Sequence, residues 1–168
     1  MKKLYTIWIV PSPSIKKDLD KIIIKLAKKY KSPIFEPHMT LLGDIEIDEK
    51  TMIEKAKILA SKLKSFSLEL GEISFSTTYF QSVFIRVKST AKLMEANLKA
   101  KEIFGRENKV FMPHMSLLYG EQEMKLREKI IPTIKLPKNK IFIVDKIVVV
   151  PSTKDPKEWK HLAEIPLH

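Results

Sequence analysis

Cysteine is absent from this chain of 168 residues. That excludes disulfides, thiol nucleophiles and cysteine-ligated zinc together. Glycine is scarce, with four in all, and no Gly/Ser-rich stretch marks a linker. Residues 1–168 are therefore expected to form a single domain, long enough for a real core. No apolar segment approaches the ~20 residues needed to cross a bilayer. The N-terminus MKKLYTIWIVPSPSIKK has the basic start of a signal peptide, yet its apolar run, LYTIWIV, is short and lacks a small-residue cleavage site. A first β-strand is the expectation there, in an intracellular, cytoplasmic protein.

The 31 Lys+Arg against 20 Asp+Glu give a net charge of +11. Such a balance suits a phosphate-bearing or nucleic-acid partner, because it concentrates anions near the surface. The lysines fall mostly within amphipathic stretches such as KKDLDKIIIKLAKKYK, where they equally solvate a helix face. No dedicated nucleic-acid patch is read from them.

The pattern alternates strands and helices. LYTIWIV (4–10) reads as a strand, and residues 13–30 carry Ile15, Leu19, Ile22, Ile23 and Leu26 at helical spacing, with Ser12 or Ser14 as cap. HMTLL then forms a short strand, after which GD turns the chain. A helix over 48–64 follows, with Asp48 as its cap or, less well placed, Thr51. Strands over 66–76 and 79–87, a helix over 89–104, a strand over 114–119 and a short helix near 122–131 follow. The chain closes with strands over 140–150 and 159–167. The order of elements repeats from about residue 79, which predicts an α+β domain of two similar lobes.

One segment is written twice. EPHMTLLGD (36–44) and MPHMSLLYG (112–120) share Pro-His-Met-hydroxyl-Leu-Leu, with His38 and His114 lying 76 positions apart. In a strand, residues i and i+2 share a face. His38 and Thr40 therefore project together, as do His114 and Ser116, while Met39, Leu41, Met115 and Leu117 point into the core. Brought together by pseudo-twofold packing, the segments offer two imidazoles and two hydroxyls to one cleft. That set suits in-line displacement at phosphorus: one neutral imidazole takes a proton from water and the other, protonated, donates one to the departing oxygen. The hydroxyls hydrogen-bond the non-bridging oxygens, and the scheme needs no metal or cofactor.

Other readings fare worse. A structural role for a buried histidine does not explain two copies with both polar groups on one face. Zinc usually takes three or four protein ligands, and neither segment contains a carboxylate. His161 is read as a surface or core residue, and His168 ends the chain. Ser116 lacks the strained turn of a nucleophile elbow.

Two copies of His-x-(Thr or Ser) in short apolar strands, half a chain apart, resemble the two-histidine (2H) phosphoesterase superfamily over the whole chain. YFQSVFIRV and PHMSLLYG look most like its cyclic phosphodiesterase branch. The resemblance implies a bilobal α+β fold of mainly antiparallel sheet with outer helices around a central cleft, each lobe contributing one motif. It implies His38 and His114 as the acid–base pair, with His114 the base toward water and His38 the acid, and Thr40 and Ser116 as phosphate-binding hydroxyls. Tyr119 matches a tyrosine that follows the second motif in that branch. Trp8 and Phe80, both in expected strands, are placed near a bound base. The implied substrate is a nucleotide cyclic phosphate, ADP-ribose 1″,2″-cyclic phosphate or a nucleoside 2′,3′-cyclic phosphate, taken by a monomer without a membrane partner. The alternatives are an RNA 2′,3′-cyclic phosphodiesterase (2′-5′ RNA ligase) acting on RNA ends and a non-catalytic nucleotide- or RNA-end-binding module.

Overall fold

The computed structural model of the chain describes residues 1–106 and 110–168. In chain order run β1 (Lys3–Ile9), α1 (Pro13–Tyr30), β2 (Met39–Ile47), α2 (Glu49–Ser61), β3 (Phe66–Phe75) and β4 (Val83–Val87). Then come α3 (Ala91–Phe104), β5 (His114–Leu118), α4 (Met124–Ile130), β6 (Ile141–Val144), β7 (Lys146–Pro151) and β8 (Ala163–Pro166). The strands make one sheet ordered β6-β3-β4-β5-β2-β1-β7-β8. Every pairing in it is antiparallel, so the α+β architecture with outer helices is as expected.

Local chemistry sets the helices. In α1 the stripe Ile15, Leu19, Ile23 and Leu26 is buried, each side chain worth roughly 1.5–3 kcal/mol. Ser12 precedes α1, but its side chain makes no cap bond; Pro13 at the first helical position supplies the right φ and needs no donor partner. The Asp48 carboxylate accepts from Thr51 N at 3.0 Å to start α2, and Thr90 Oγ1 does the same for Leu93 N at 3.2 Å in α3. Gly105, at φ 64°, ends α3 in the left-handed conformation that glycine adopts freely.

Several strand boundaries differ from the sequence expectation. Gly43-Asp44 does not turn the chain. β2 runs through it to Ile47, and the pairing slips from Tyr5↔Ile45 to Ile7↔Leu42, a bulge that Asp44 accommodates at φ 53°. Residues 79–82 form a turn, and β4 begins only at Val83. The stretch 140–150 breaks at Asp145, with β6 at one end of the strand order and β7 next to β8, the strand at the other end. One residue joins β6 to β7, so the sheet curls almost onto itself. β8 spans only Ala163–Pro166, leaving Trp159 and His161 in the preceding loop.

The two motif strands lie at the centre. Flanking β2 are β1, β7 and β8; flanking β5 are β4, β3 and β6. Each group of four is built from both halves of the sequence, since β3 pairs with β4 and β7 with β1. The central strands meet at a single register pair, Met39↔Met115. Behind them α1 packs on β5 and α3 on β2, and the buried Asn97 amide donates to Leu41 O at 2.8 Å.

Candidate active site

Period-2 alternation holds through both motifs. Met39, Leu41, Met115 and Leu117 are buried, while His38, Thr40, His114 and Ser116 line one open cavity of about 360 Å³ on the other face. Trp8, Phe80, Tyr119 and Trp159 complete much of its wall, with Gly43 and Asp44 of the bulge. The structure thus brings all seven sequence-derived residues to a single cavity.

The histidines are held alike. His38 Nδ1 lies 2.7 Å from the carbonyl of Glu36, and His114 Nδ1 lies 2.8 Å from that of Met112. A carbonyl only accepts, so each Nδ1 carries a proton and donates, leaving Nε2 as the ring nitrogen free for chemistry. Pro37 and Pro113 intervene and favour the extended approach this geometry needs. Burial lowers the His38 pKa to about 4, with the Glu36 carbonyl opposing and His114 and His161 adding to the depression. His114 is also lowered, chiefly by burial, with the Met112 carbonyl opposing and Arg86 assisting. Both imidazoles are therefore neutral near pH 7.

The hydroxyls differ. Ser116 Oγ donates to Phe80 O at 2.6 Å, so its single proton is committed to the 79–82 turn. Thr40 Oγ1 has no partner among the described residues. Tyr119 is buried and its phenol pKa is raised by that burial, with a hydrogen bond to Ser116 pulling the other way. Its ring stacks on Phe35 with centroids 3.8 Å apart.

Trp8 is nearly inaccessible, and its indole stacks on the His38 ring at 3.6 Å and 11°. One face of that indole is therefore occupied by the imidazole and not open to a base. Phe80 sits in the turn, not in a strand as expected from the sequence, and is exposed at the cavity wall. Trp159 escaped sequence reading. It meets Trp8, His38 and Tyr119 edge-on, and its Nε1 donates to Thr153 O. Its one signal was an isolated tryptophan just ahead of a strand.

Two supporting groups were equally invisible. Arg127, 1% exposed, donates to Gln122 O (2.8 Å), Ser76 O (2.6 Å), Thr78 O (3.0 Å) and Gly120 O (3.1 Å). It ties the segment leading to Phe80 to the one following Tyr119. His161 lies 2.7 Å from both Glu36 and Glu164. Burial opposes its protonation, but the two carboxylates together raise its pKa. Among the described residues no three His, Asp or Glu side chains gather as metal ligands.

The chain matches the family described as cyclic phosphodiesterase-like protein over residues 4–167. The cyclic phosphodiesterase of Arabidopsis thaliana is 32% identical over 124 residues, covering 71% of this chain and 67% of that protein. The structure of E. coli LigT complexed with 3′-AMP superposes with a TM-score of 0.72 at 14% identity, covering 99% of each chain. TT0787 of Thermus thermophilus gives a TM-score of 0.67 at 17% identity, covering 98% of this chain and 97% of that one. Those two similarities establish the fold, and the match along the sequence establishes more. The chain is a phosphodiesterase that belongs to the cyclic phosphodiesterase-like family of the two-histidine phosphoesterases.

Proposed function

We propose that the chain hydrolyses a nucleotide cyclic phosphate, ADP-ribose 1″,2″-cyclic phosphate or a nucleoside 2′,3′-cyclic phosphate, by acid–base catalysis from His38 and His114. One observation carries this: two imidazoles at the starts of the adjacent central strands, His38 just before β2 and His114 opening β5, each with Nδ1 tied to the carbonyl two residues upstream, share one cavity. Two such matched Nε2 atoms suit a proton taken on one side of phosphorus and delivered on the other.

In this reading water attacks phosphorus as His114 Nε2 accepts its proton. The P–O bond to one ribose oxygen breaks, and His38 Nε2–H protonates that oxygen. The product is a phosphomonoester, and exchange with solvent returns the proton from His114 to His38. Trp8 favours His38 as the acid, because an imidazolium gains from an indole face. Burial by itself keeps His38 neutral, so its proton arrives with the anionic substrate. Thr40 Oγ1, free of internal bonds, donates to a non-bridging oxygen. Ser116 does so by releasing the Phe80 carbonyl, or accepts from Tyr119 while keeping it. E. coli LigT has been seen complexed with 3′-AMP and with ATP, which supports a nucleotide phosphate as the ligand here.

The test is turnover of ADP-ribose 1″,2″-cyclic phosphate, the four nucleoside 2′,3′-cyclic phosphates and an RNA ending in a cyclic phosphate. Histidine-to-alanine variants at 38 and 114 are assayed beside the parent. Loss of hydrolysis in both variants, with the fold intact, is expected; a double variant that still turns over would sink the mechanism. Retained activity in EDTA is required as well.

A further inference from the structure

Beyond the cavity, the same face of the sheet carries an arginine that the two-histidine scheme leaves without a task. Arg86 on β4 is the register partner of His114 on β5, and Phe84 is the partner of Ser116. Phe84 and Arg86 stand two apart in a strand and share a face. The ring contacts agree, since Phe84 meets His114 edge-on at 5.3 Å while the Arg86 guanidinium lies 5.6 Å over the Phe84 ring. That stacking holds a cation beside His114, on the side away from His38.

Arg86 is exposed and has no ion-pair partner among the described residues. It borders a second hollow of about 460 Å³, with Gly71, Glu72, Lys88, Phe111 and Met112 among its walls. Lys88 is engaged with Glu69 at 2.7 Å, and Glu72, the one acid in the hollow, forms no ion pair with Arg86. A solitary guanidinium directly opposite a histidine that must take up a proton is unfavourable in the empty protein. It becomes favourable once an anion sits between or beside them.

We propose that Arg86 forms a second phosphate subsite, holding a phosphate on the 5-oxygen of the same ribose that carries the cyclic phosphate. The assignment rests on the reading of His38 and His114 as the reaction centre. Arg86 starts one strand from His114, about 5 Å away, and its long side chain reaches roughly one sugar ring farther. On a ribose cyclic phosphate, the next phosphate in reach is the one on the 5-oxygen. Two ligands supply that chemistry: an oligonucleotide, through the linkage before its terminal nucleotide, and a dinucleotide, through its pyrophosphate.

The experiment compares kcat/KM for adenosine 2′,3′-cyclic phosphate with that for the same compound bearing a 5′-phosphate, in the parent protein and in R86Q. A preference of roughly 10- to 100-fold for the phosphorylated substrate is expected, the range of a hydrogen bond to a charged group, and R86Q brings it close to one. The ratio is insensitive to any change Arg86 makes in the His114 pKa, which acts on both substrates. A shifted pH profile in R86Q with an unchanged ratio therefore overturns the subsite. So does the absence of any preference in the parent. A dinucleotide ending in a cyclic phosphate and ADP-ribose 1″,2″-cyclic phosphate run as separate arms; the larger R86Q loss identifies the natural source, and no loss in either refutes the proposal. If no substrate is hydrolysed at all, the reaction assigned to the histidines has failed. Calorimetric binding of adenosine 2′,5′-bisphosphate against adenosine 2′-phosphate then still reads Arg86, with R86K expected to keep part of the difference that R86Q loses.

Discussion

Replacing Arg127 by methionine is expected to cost the protein about 3–5 kcal/mol. The guanidinium is fully buried and serves four backbone carbonyls, two before the 79–82 turn and two after Tyr119. Methionine fills much of the volume but donates nothing. Each buried acceptor left without a partner costs roughly 1–3 kcal/mol. Against that stands the relief of no longer burying an uncompensated charge, since Arg127 has no carboxylate beside it among the described residues. Net, the loss is about half of the simple sum. For a chain of this size it corresponds to a fall of about 10 °C in Tm. Urea titration gives the free energy and a thermal melt gives the Tm. R127K should fall between the two, because an ammonium is a point donor that cannot span four carbonyls as a planar fork does. The folded fraction of R127M should also lose kcat, as the turn that offers the Phe80 carbonyl to Ser116 comes loose. An R127M protein within about 1 kcal/mol of the parent, less than one orphaned acceptor should cost, would refute the account of that arginine as the tie between the two segments.

Alanine at His38 or at His114 should each reduce kcat by about 10²–10⁴-fold, the usual yield of one general acid or base, with an unchanged circular dichroism spectrum; a smaller loss at either one removes it from the acid–base pair. Binding of a phosphate-bearing nucleotide near pH 7 should take up protons, because burial holds His38 at about 4 in the empty site and a neighbouring anion raises it. Calorimetry in buffers of different ionisation enthalpy measures the number, and zero uptake contradicts the assignment of His38 as the acid. The same depressed pKa makes stability fall as pH drops from about 6.5 toward 4, since the unfolded chain binds a proton there that the folded one refuses. The His38 share is up to about 3 kcal/mol, and H38Q should flatten that part of a Tm-against-pH curve. T40V should raise KM for the cyclic phosphate with little change in fold, measured by steady-state kinetics, because Thr40 Oγ1 has no internal bond to lose.

The centre of the site was legible because two independent signals agreed on it. A hexapeptide written twice marked His38 and His114, and strand alternation placed Thr40 and Ser116 beside them; all four line one cavity. What the sequence hid is tertiary. GD carries the same letters in a hairpin turn and in a bulge, and only the pairing with β1 distinguishes them. Nothing local in KIFIVDKIVVV says that its first four strand residues belong to one end of the sheet and its last five to a strand near the other. Arg127 sits among lysines and glutamates on a short helix and reads as a solvated residue, because its four partners are carbonyls 5 to 51 positions away. Trp159 reaches the cavity, and His161 the edge of Trp8, from a loop where no periodicity announces a direction.

The single register pair between β2 and β5 sets how the two halves of the sheet are joined. A full ladder would lock the separation of His38 and His114 along its length, but here one register pair joins the two strands. The crossed packing of α1 on β5 and α3 on β2 adds contacts behind the strands, on the side away from the cavity. The seam between β2 and β5 is thus the most sparsely paired in the sheet, with one register pair where every other seam has at least four. In the mechanism proposed above, a substrate phosphate held by both imidazoles would bridge that seam from the cavity side and supply a tie that the backbone ladder lacks there.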